Sequence, residues 1–451
     1  MTTLYNAGWV LPISSPPIKN GAVAIDGRVI TAVGDQSELT RQFPEASRRS
    51  FDEAVILPGL VNTHSHLELT AMRGFLDQEE GDFFSWLKKL TTARLERMTP
   101  DDLYVSAAWG ACEALRAGVT CVADASDAAH ASMNALRDTG LRGTVYQESF
   151  GPDPKLAREN FEALKVKMAS LRNLETPLVR VGVSPHAPYS VCPEQLEMIA
   201  EFALIEKLQV MMHAAESIAE EMLLREGQGS FAEGLARREI HWSTPGRSTI
   251  QHLERHGILQ TRPLLAHCIN VDRSDIELMS EAGASVAHCP KSNAKFSHRR
   301  APFVAFLERG IAVGLGSDSV ASNNTCDMLE EARFALLMAR SGTDGATGKM
   351  LDAETLLRTA TSGGARALGL EDQIGELRPG LQADFAIVSF AGTHQQPSQD
   401  PAGTLIFSSS GRDVLVTVVA GRELYREGRL EEVDEERLRA RINEIGRKLV
   451  T

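Results

Sequence analysis

A recurrence limits this chain more than any single motif does. Eight short apolar runs alternate with segments of helical period, and every run closes on a polar or ionisable residue. The runs are AVILPGLVNTH (54–64), VTCVAD (119–124), RGTVYQE (142–148), LVRVGVSPH (178–186), LQVMMH (208–213), PLLAH (263–267), ASVAH (284–288) and IAVGLGSD (311–318). Strand signals alternating with helix signals define repeated βα units around a parallel sheet. Eight is the number a closed β/α barrel needs, and barrel chemistry gathers at the C-terminal ends of the strands. His64, Asp124, Glu148, His186, His213, His267, His288 and Asp318 should therefore converge at one mouth.

The two ends of the chain read differently. GAVAIDGRVITAVG (21–34) places Asp26 and Gly27 between alternating apolar runs, the pattern of a tight hairpin. ADFAIVSF (383–390), TLIF (404–407) and DVLVTVVAGRELYREG (413–428) repeat that pattern near the C-terminus, with a turn at Gly421 and Arg422. Neither end has strands enough for a stable sheet of its own, so the two are expected to pair into one small β-domain. The expected organisation is residues 1–56 for the first part of that domain, 57–372 for the barrel, and 373–451 for its second part and a charged terminal helix from about Glu431 to Val450. Length alone, 451 residues, suggests about three domains, but one barrel absorbs most of them.

Charge and composition exclude several partners. Lys plus Arg number 47 against 60 for Asp plus Glu, a net charge of −13, so nucleic acid and acidic membrane surfaces are not expected. No apolar run approaches bilayer length, and the first 20 residues lack the layout of a secretion signal, which predicts a cytoplasmic protein. Six cysteines without any C-x-x-C pair read as reduced core thiols rather than disulfides or a structural zinc site.

In PGLVNTHSHLEL, His64 and His66 stand two apart at the end of an extended run, so both imidazoles face the same way and can reach one ion. Taken alone, the pair could equally be two hydrogen-bonded strand-end histidines. His213 and Asp318 at other strand ends complete a set of three imidazoles and one carboxylate, which suits Zn²⁺ or Fe²⁺ with a position left for water. Asp318 alone would read as a helix N-cap. Glu216 follows His213 by three residues and can shuttle protons beside a cation, although a solvated helix-start glutamate has the same spacing. His267 is either a polariser of the attacking water or a satisfied core histidine.

The ordered motifs PGLVNTHSH, SPHAPYS, HAAES, AHCIN, HCPKSNAKF and GLGSDSVASNN resemble the amidohydrolase superfamily. The similarity is to the branch of cytosine, guanine and adenosine-type deaminases and triazine hydrolases, over roughly residues 3–430. It implies a distorted (β/α)8 TIM barrel with a small β-sandwich domain made by both termini. It implies one divalent metal, Zn²⁺ first and Fe²⁺ as the alternative, held by His64, His66, His213 and Asp318. Glu216, His267 and Asp318 would then be catalytic, and His186, Glu216 and Trp86 would meet substrate. Binuclear members carry a carboxylated lysine at the fourth strand. VRVGVSPHAPYS has none, which implies a mononuclear centre.

The implied reaction is hydrolytic removal of an amino group from a nitrogen heterocycle, with water and a small heterocyclic amine as the partners. SPHAPYS resembles the motif of methylthioadenosine and S-adenosylhomocysteine deaminases and of aminodeoxyfutalosine deaminases, which favours an adenine nucleoside, aminodeoxyfutalosine first. The glutamate that adenosine-type enzymes use on ribose has no clear equivalent in WLKKLTTARLERMTP, where Leu95 or Glu96 falls near the place. Lys291, Lys295, His298, Arg299 and Arg300 make a basic segment that reads first as a solvated loop and otherwise as a carboxylate-binding one. Other readings are hydrolysis of triazine-like rings, guanine or cytosine deamination, a binuclear amide hydrolase and an inactive scaffold barrel. A homodimer is expected.

Overall fold

A computed structural model of the chain describes residues 2–341 and 351–450. All eight apolar runs form strands. These are β5 (Leu60–Ser65), β6 (Val119–Ser126), β7 (Arg142–Ser149), β8 (Val179–Pro185), β9 (Met211–Ala214), β10 (Leu264–His267), β11 (Ser285–His288) and β12 (Ala312–Leu315). They pair in parallel in the order β8-β7-β6-β5-β12-β11-β10-β9, and a bridge between Val183 and Val210 joins the two outer strands. The result is the closed barrel with helices outside. Every residue of β5, β6 and β7 is buried, as strands covered on both faces must be.

The termini build the second sheet, as expected. In chain order its strands are β1 (Thr2–Val10), β2 (Ile18–Asp26), β3 (Val29–Asp35), β4 (Ser47–Pro58), β13 (Phe385–Ser389), β14 (Val414–Val419), β15 (Arg422–Arg426) and β16 (Arg429–Leu430). The order across the sheet is β16-β15-β14-β13-β4-β1-β2-β3. N-terminal β4 pairs with C-terminal β13 at its centre. Val29 on β3 bridges Gln382, so the sheet folds back on itself around Tyr5, Val23, Ile30, Phe385 and Val416, making the sandwich.

Two local readings change. The run 54–64 is two strands, because β4 ends at Pro58 and β5 starts at Leu60. Gly59 is the hinge between sandwich and barrel, and a Cβ there would meet Thr120 Oγ1 at 2.0 Å. TLIF is the end of a helix, Pro401–Phe407, not a strand. Asp400 caps it by accepting from Gly403 N, and Pro401 presets the first turn, so the cap outweighs the β-propensity of the apolar residues.

At the barrel floor, Arg142 at the start of β7 makes a bidentate pair with Asp384, Nε to Oδ2 2.8 Å and Nη2 to Oδ1 3.0 Å. Asp384 also accepts from Ala420 N, so one buried pair ties barrel to sandwich. At the other end, the helix Phe83–Arg97 lies over the mouth. The terminal helix Glu435–Val450 braces it from behind, with Ile445 and Leu449 in one apolar cluster with Trp86 and Leu90. No helix among the described residues is long and apolar enough to cross a membrane.

Candidate metal centre and pocket

Strand ends and the sharp turns after them set the site. Ala215, His267, Cys268 and Asp318 all have left-handed φ values between 47° and 71°, a costly conformation for non-glycine residues that clusters at working sites. Three turns of the mouth are held from outside. After His213, the Glu220 carboxylate accepts from Ala215 N at 2.8 Å, Glu216 N at 3.1 Å and Thr249 Oγ1 at 2.7 Å. After β12, Asn62 accepts from Ser317 N at 3.0 Å and Asn323 donates to Ser317 O. After β5, Asp124 accepts from Leu67 N at 2.7 Å and from Ser65 Oγ, which fixes the chain that carries His66.

One ring nitrogen from each of His64, His66 and His213 falls within a single 4.8 Å cluster, and His64, His267 and Asp318 form a second cluster sharing His64. His66 Nε2 faces His213 Nε2 at 3.2 Å, and Asp318 Oδ1 lies 3.4 Å from His64 Nε2 and 3.6 Å from His66 Nε2. The outer nitrogens are occupied: His64 Nδ1 contacts Met211 Sδ at 3.4 Å and His213 Nδ1 donates to the His186 carbonyl at 3.0 Å. With Nδ1 carrying the proton, the Nε2 lone pairs point inward, the arrangement a metal-binding imidazole needs.

Burial enforces neutrality at these rings. It pushes His64 down to about 4, lowers His66, and puts His213 well below the usual histidine range. Burial alone would raise Asp318, but the surrounding imidazoles of His64, His267 and His66 hold it well below the usual carboxylate range. Ser292 Oγ at 2.5 Å and Ser322 Oγ at 3.0 Å donate to its Oδ2, leaving Oδ1 toward the histidines. Neutral imidazoles and one carboxylate converging in a buried cluster fit a single divalent metal.

Glu216 Oε1 lies 3.6 Å from His267 Nε2, beside this cluster. Burial raises Glu216 to about 7, partly offset by His267. For His267, burial works downward, but the Glu216 and Asp318 carboxylates outweigh it and the ring is raised. Its Nδ1 donates to Asn293 Oδ1 at 2.9 Å, which leaves Nε2 toward Glu216.

A cavity of about 500 Å³ opens from this end toward the helix Phe83–Arg97. His66, His186, His213, Glu216, His267, Asp318 and Trp86 all line it, so every expected site residue except the deeper His64 faces one space. Its outer wall is aromatic, with Phe83, Phe84, Tyr189, Phe231 and Phe296. Asp124 and His288, also at strand ends, stay outside it. His288 stacks on Phe303 instead.

The sequence did not flag Glu68, Arg94, Asn293, Ser292 or Glu220. Glu68 and Arg94 pair at 2.8 Å, and Arg94 also pairs with Asp127 at 3.0 Å. Leu95 lines the cavity, whereas Glu96 is exposed away from it. Three of the basic segment's five residues are already paired, Lys291 with Glu330, Lys295 with Glu80 and Arg299 with Glu221, and none of the five lines the cavity.

Residues 55–424 match the model of the amidohydrolase family, and the chain belongs to that family. A short segment, 21–46, matches a bacterial imidazolonepropionase-like composite domain. Among its relatives, a 5-methylthioadenosine/S-adenosylhomocysteine deaminase of Syntrophobacter fumaroxidans is 32% identical over 95% of this chain and 93% of its own. An adenosine deaminase of Xanthomonas campestris, solved with bound zinc, superposes with a TM-score of 0.87 at 27% identity, covering 99% of this chain and 98% of that one. The zinc-complexed atrazine chlorohydrolase of Arthrobacter aurescens reaches 0.84 at 25% identity, over 98% of this chain and all of that one.

Proposed function

We propose that this protein is a metal-dependent hydrolytic deaminase acting on an adenine-related heterocycle. The observation that carries this reading is Glu216: a buried carboxyl, raised to about 7, set 3.6 Å from His267 beside the histidine and aspartate cluster. An amine is a poor leaving group and needs a proton, which a carboxyl of that pKa can hold and give up near neutrality. Deaminases among the relatives of full length point the same way.

In the proposed roles, His64, His66, His213 and Asp318 hold the metal. When bound, a divalent zinc ion supplies Lewis acidity that makes water a competent nucleophile near neutral pH. Asp318 takes a proton from the attacking water. Glu216 gives a proton to the ring nitrogen next to the carbon under attack, while His267, oriented by Asn293, stabilises the developing negative oxygen. The C–N bond to the amino group then breaks with a proton delivered through Glu216. The balance is one water consumed, one carbonyl formed and one ammonia released. His186 and Trp86 contact the substrate.

A halide leaves without protonation, so the retained Glu216 disfavours the triazine reading, and the assembled site disfavours an inactive scaffold. Six buried, unpaired cysteines fit a reducing, cytoplasmic setting, and a homodimer remains part of the proposal. The test is ammonia release from zinc-loaded protein across adenosine, methylthioadenosine, S-adenosylhomocysteine, aminodeoxyfutalosine, guanine, cytosine and melamine. Release that disappears in Glu216→Gln supports the assignment. Silence across the panel with one metal bound overturns it.

A further inference from the structure

Beside the histidine and aspartate cluster, two cavity-lining side chains turn lone pairs toward each other. Glu148, at the C-terminal end of β7, is 6% exposed, and its Oε1 is buried with no hydrogen-bond partner among the described residues. His186 Nε2 stands 4.0 Å from that oxygen, too far for a hydrogen bond. Ser190 Oγ donates to Ala187 O at 3.1 Å, so it accepts the proton of His186 Nδ1 at 2.7 Å, which puts the ring's lone pair on Nε2. Burial keeps this ring neutral, down to about 3. An unpaired buried carboxyl is costly, so a site that keeps one has a partner that arrives from outside.

The surroundings are short of positive charge. Glu68, Asp124 and Asp127 lie around Glu148, and the two nearby cations are already engaged, Arg94 by Glu68 and Asp127 and Lys167 by Asp127. Asp124 Oδ2 is also buried without a hydrogen-bond partner. Burial first, then Glu68 and Asp127, hold the Glu148 carboxyl well above its usual range. An anion here would meet like charge, and a neutral donor would leave the excess negative charge in place. A cation answers both the unpaired atoms and the acids behind them. Zinc sits about 2 Å from each donor, so two of its ligands stand about 3.4 Å apart at the tetrahedral angle and at most about 4.2 Å apart in line. The 4.0 Å between Glu148 and His186 falls within that reach.

We propose that Glu148 and His186 form a second divalent-cation site, weaker than the inner one, and that zinc bound there closes the cavity to substrate. Its protein donors come from the third and fourth barrel strands, unlike a carboxylated-lysine centre, and its other positions are open to cavity water. A ring nitrogen of His213 falls within 4.8 Å of both donors and also belongs to the inner cluster. One lone pair serves one ion, and the inner set, with Asp318 and two more imidazoles, takes it. The inner ion then repels the outer one across a short distance, which makes the outer site the weaker. An ion between two residues that line the cavity occupies space the heterocycle needs.

Binding is read first, without substrate. Metal-free wild type, Glu148→Gln and Ser190→Ala are titrated with zinc chloride by calorimetry, and zinc per chain is counted by equilibrium dialysis. Wild type should show a tight step and a weaker one. Glu148→Gln should keep the tight step, which also shows that it is folded, and lose the weak one. Ser190→Ala removes the acceptor that fixes the His186 tautomer and should weaken the second step about 10- to 100-fold with the first unchanged. A single step in wild type, or a second step that both variants keep, overturns the proposal and leaves the deaminase reading standing. The inhibition arm rests on that reading. Ammonia release by wild type should fall as free zinc passes through the second step, competitively with substrate, while Glu148→Gln keeps its own rate at the same zinc. A filled second step that leaves ammonia release unchanged overturns the closure. Silence across the substrate panel with both zinc steps present overturns the deaminase reading and leaves the second site standing.

Discussion

The mouth and the floor of the barrel are both crowded with buried charge, and they treat it in opposite ways. At the floor, Arg142 and Asp384 satisfy each other through two parallel hydrogen bonds, and nothing about the pair invites a ligand. At the mouth, His64 Nε2, His267 Nε2 and Glu148 Oε1 are buried with no hydrogen-bond partner, and the backbone carrying His267 and Asp318 is held in left-handed conformations. A chain tolerates unpaired polar atoms and strained turns when something outside the chain completes them. Charge at the floor joins two sheets. Charge at the mouth waits for a metal, a water and a heterocycle.

The sharpest way to break this contrast is to remove the metal. Chelation, or His66→Ala, should bring deamination to background while circular dichroism at 25 °C stays native, with zinc stoichiometry measured alongside. Unfolding on metal loss would mean the mouth is structural after all. The next effect in size belongs to Glu216→Gln, which removes the proton carrier and leaves all four proposed ligands. A loss of about 10²- to 10⁴-fold in kcat is expected with zinc content unchanged.

The floor should answer in the other currency. Asp384→Ala leaves Arg142 buried at 4% exposure without its partner. Breaking a buried pair from one side costs about 3–5 kcal/mol of stability. Denaturant unfolding should show that loss, while kcat/KM measured well below the melting temperature stays near wild type. A variant that is stable yet slow would dissolve the distinction between the two ends. Ser292→Ala returns to the mouth with a smaller effect. It removes the 2.5 Å hydrogen bond to Asp318 Oδ2 and should cost about 10- to 100-fold in zinc affinity or turnover, as expected for groups that orient a ligand.

How much of this could be read from the chain depends on which contacts are local. The eight strand ends were legible because an apolar run that stops on a histidine or an acid is visible within ten residues, and the sandwich was legible because both termini alternate. The proposed ligand set followed from His64 and His66 once His213 and Asp318 closed later runs. The supports were not legible. Asn62 reaches Ser317 across 255 residues and Glu220 clamps the turn at Ala215, and neither contact leaves a periodic trace. The one available signal was Ser292 and Asn293 directly after a strand end in HCPKSN. TLIF was misread because a cap at Asp400, not the apolar run, decides that segment, and 54–64 was read as one strand because its hinge is a single glycine.

The smallest predicted effect tests whether a buried acid near the mouth carries stability as the floor does. Glu331 supports the loop of Asp318 by accepting from Asn323 Nδ2 at 2.6 Å, and Asn323 in turn donates to Ser317 O. Burial raises its carboxyl to about 8, against the pull of Lys291 and Asn323. The folded chain therefore keeps a proton that the unfolded chain gives up near the ordinary value of 4.5. Between those values the folded state binds more protons, so stability is fully present below about 4.5 and falls as pH rises through about 8. Glu331→Gln cannot lose that proton. Its melting temperature should decline less than that of wild type from pH 6 to about pH 8.5, the window in which the raised carboxyl titrates, with both proteins metal-free. Parallel declines would mean that Glu331 is ionised in the folded chain and that Lys291 pairs with it as Arg142 pairs with Asp384, in which case the mouth would hold one joint built like the floor.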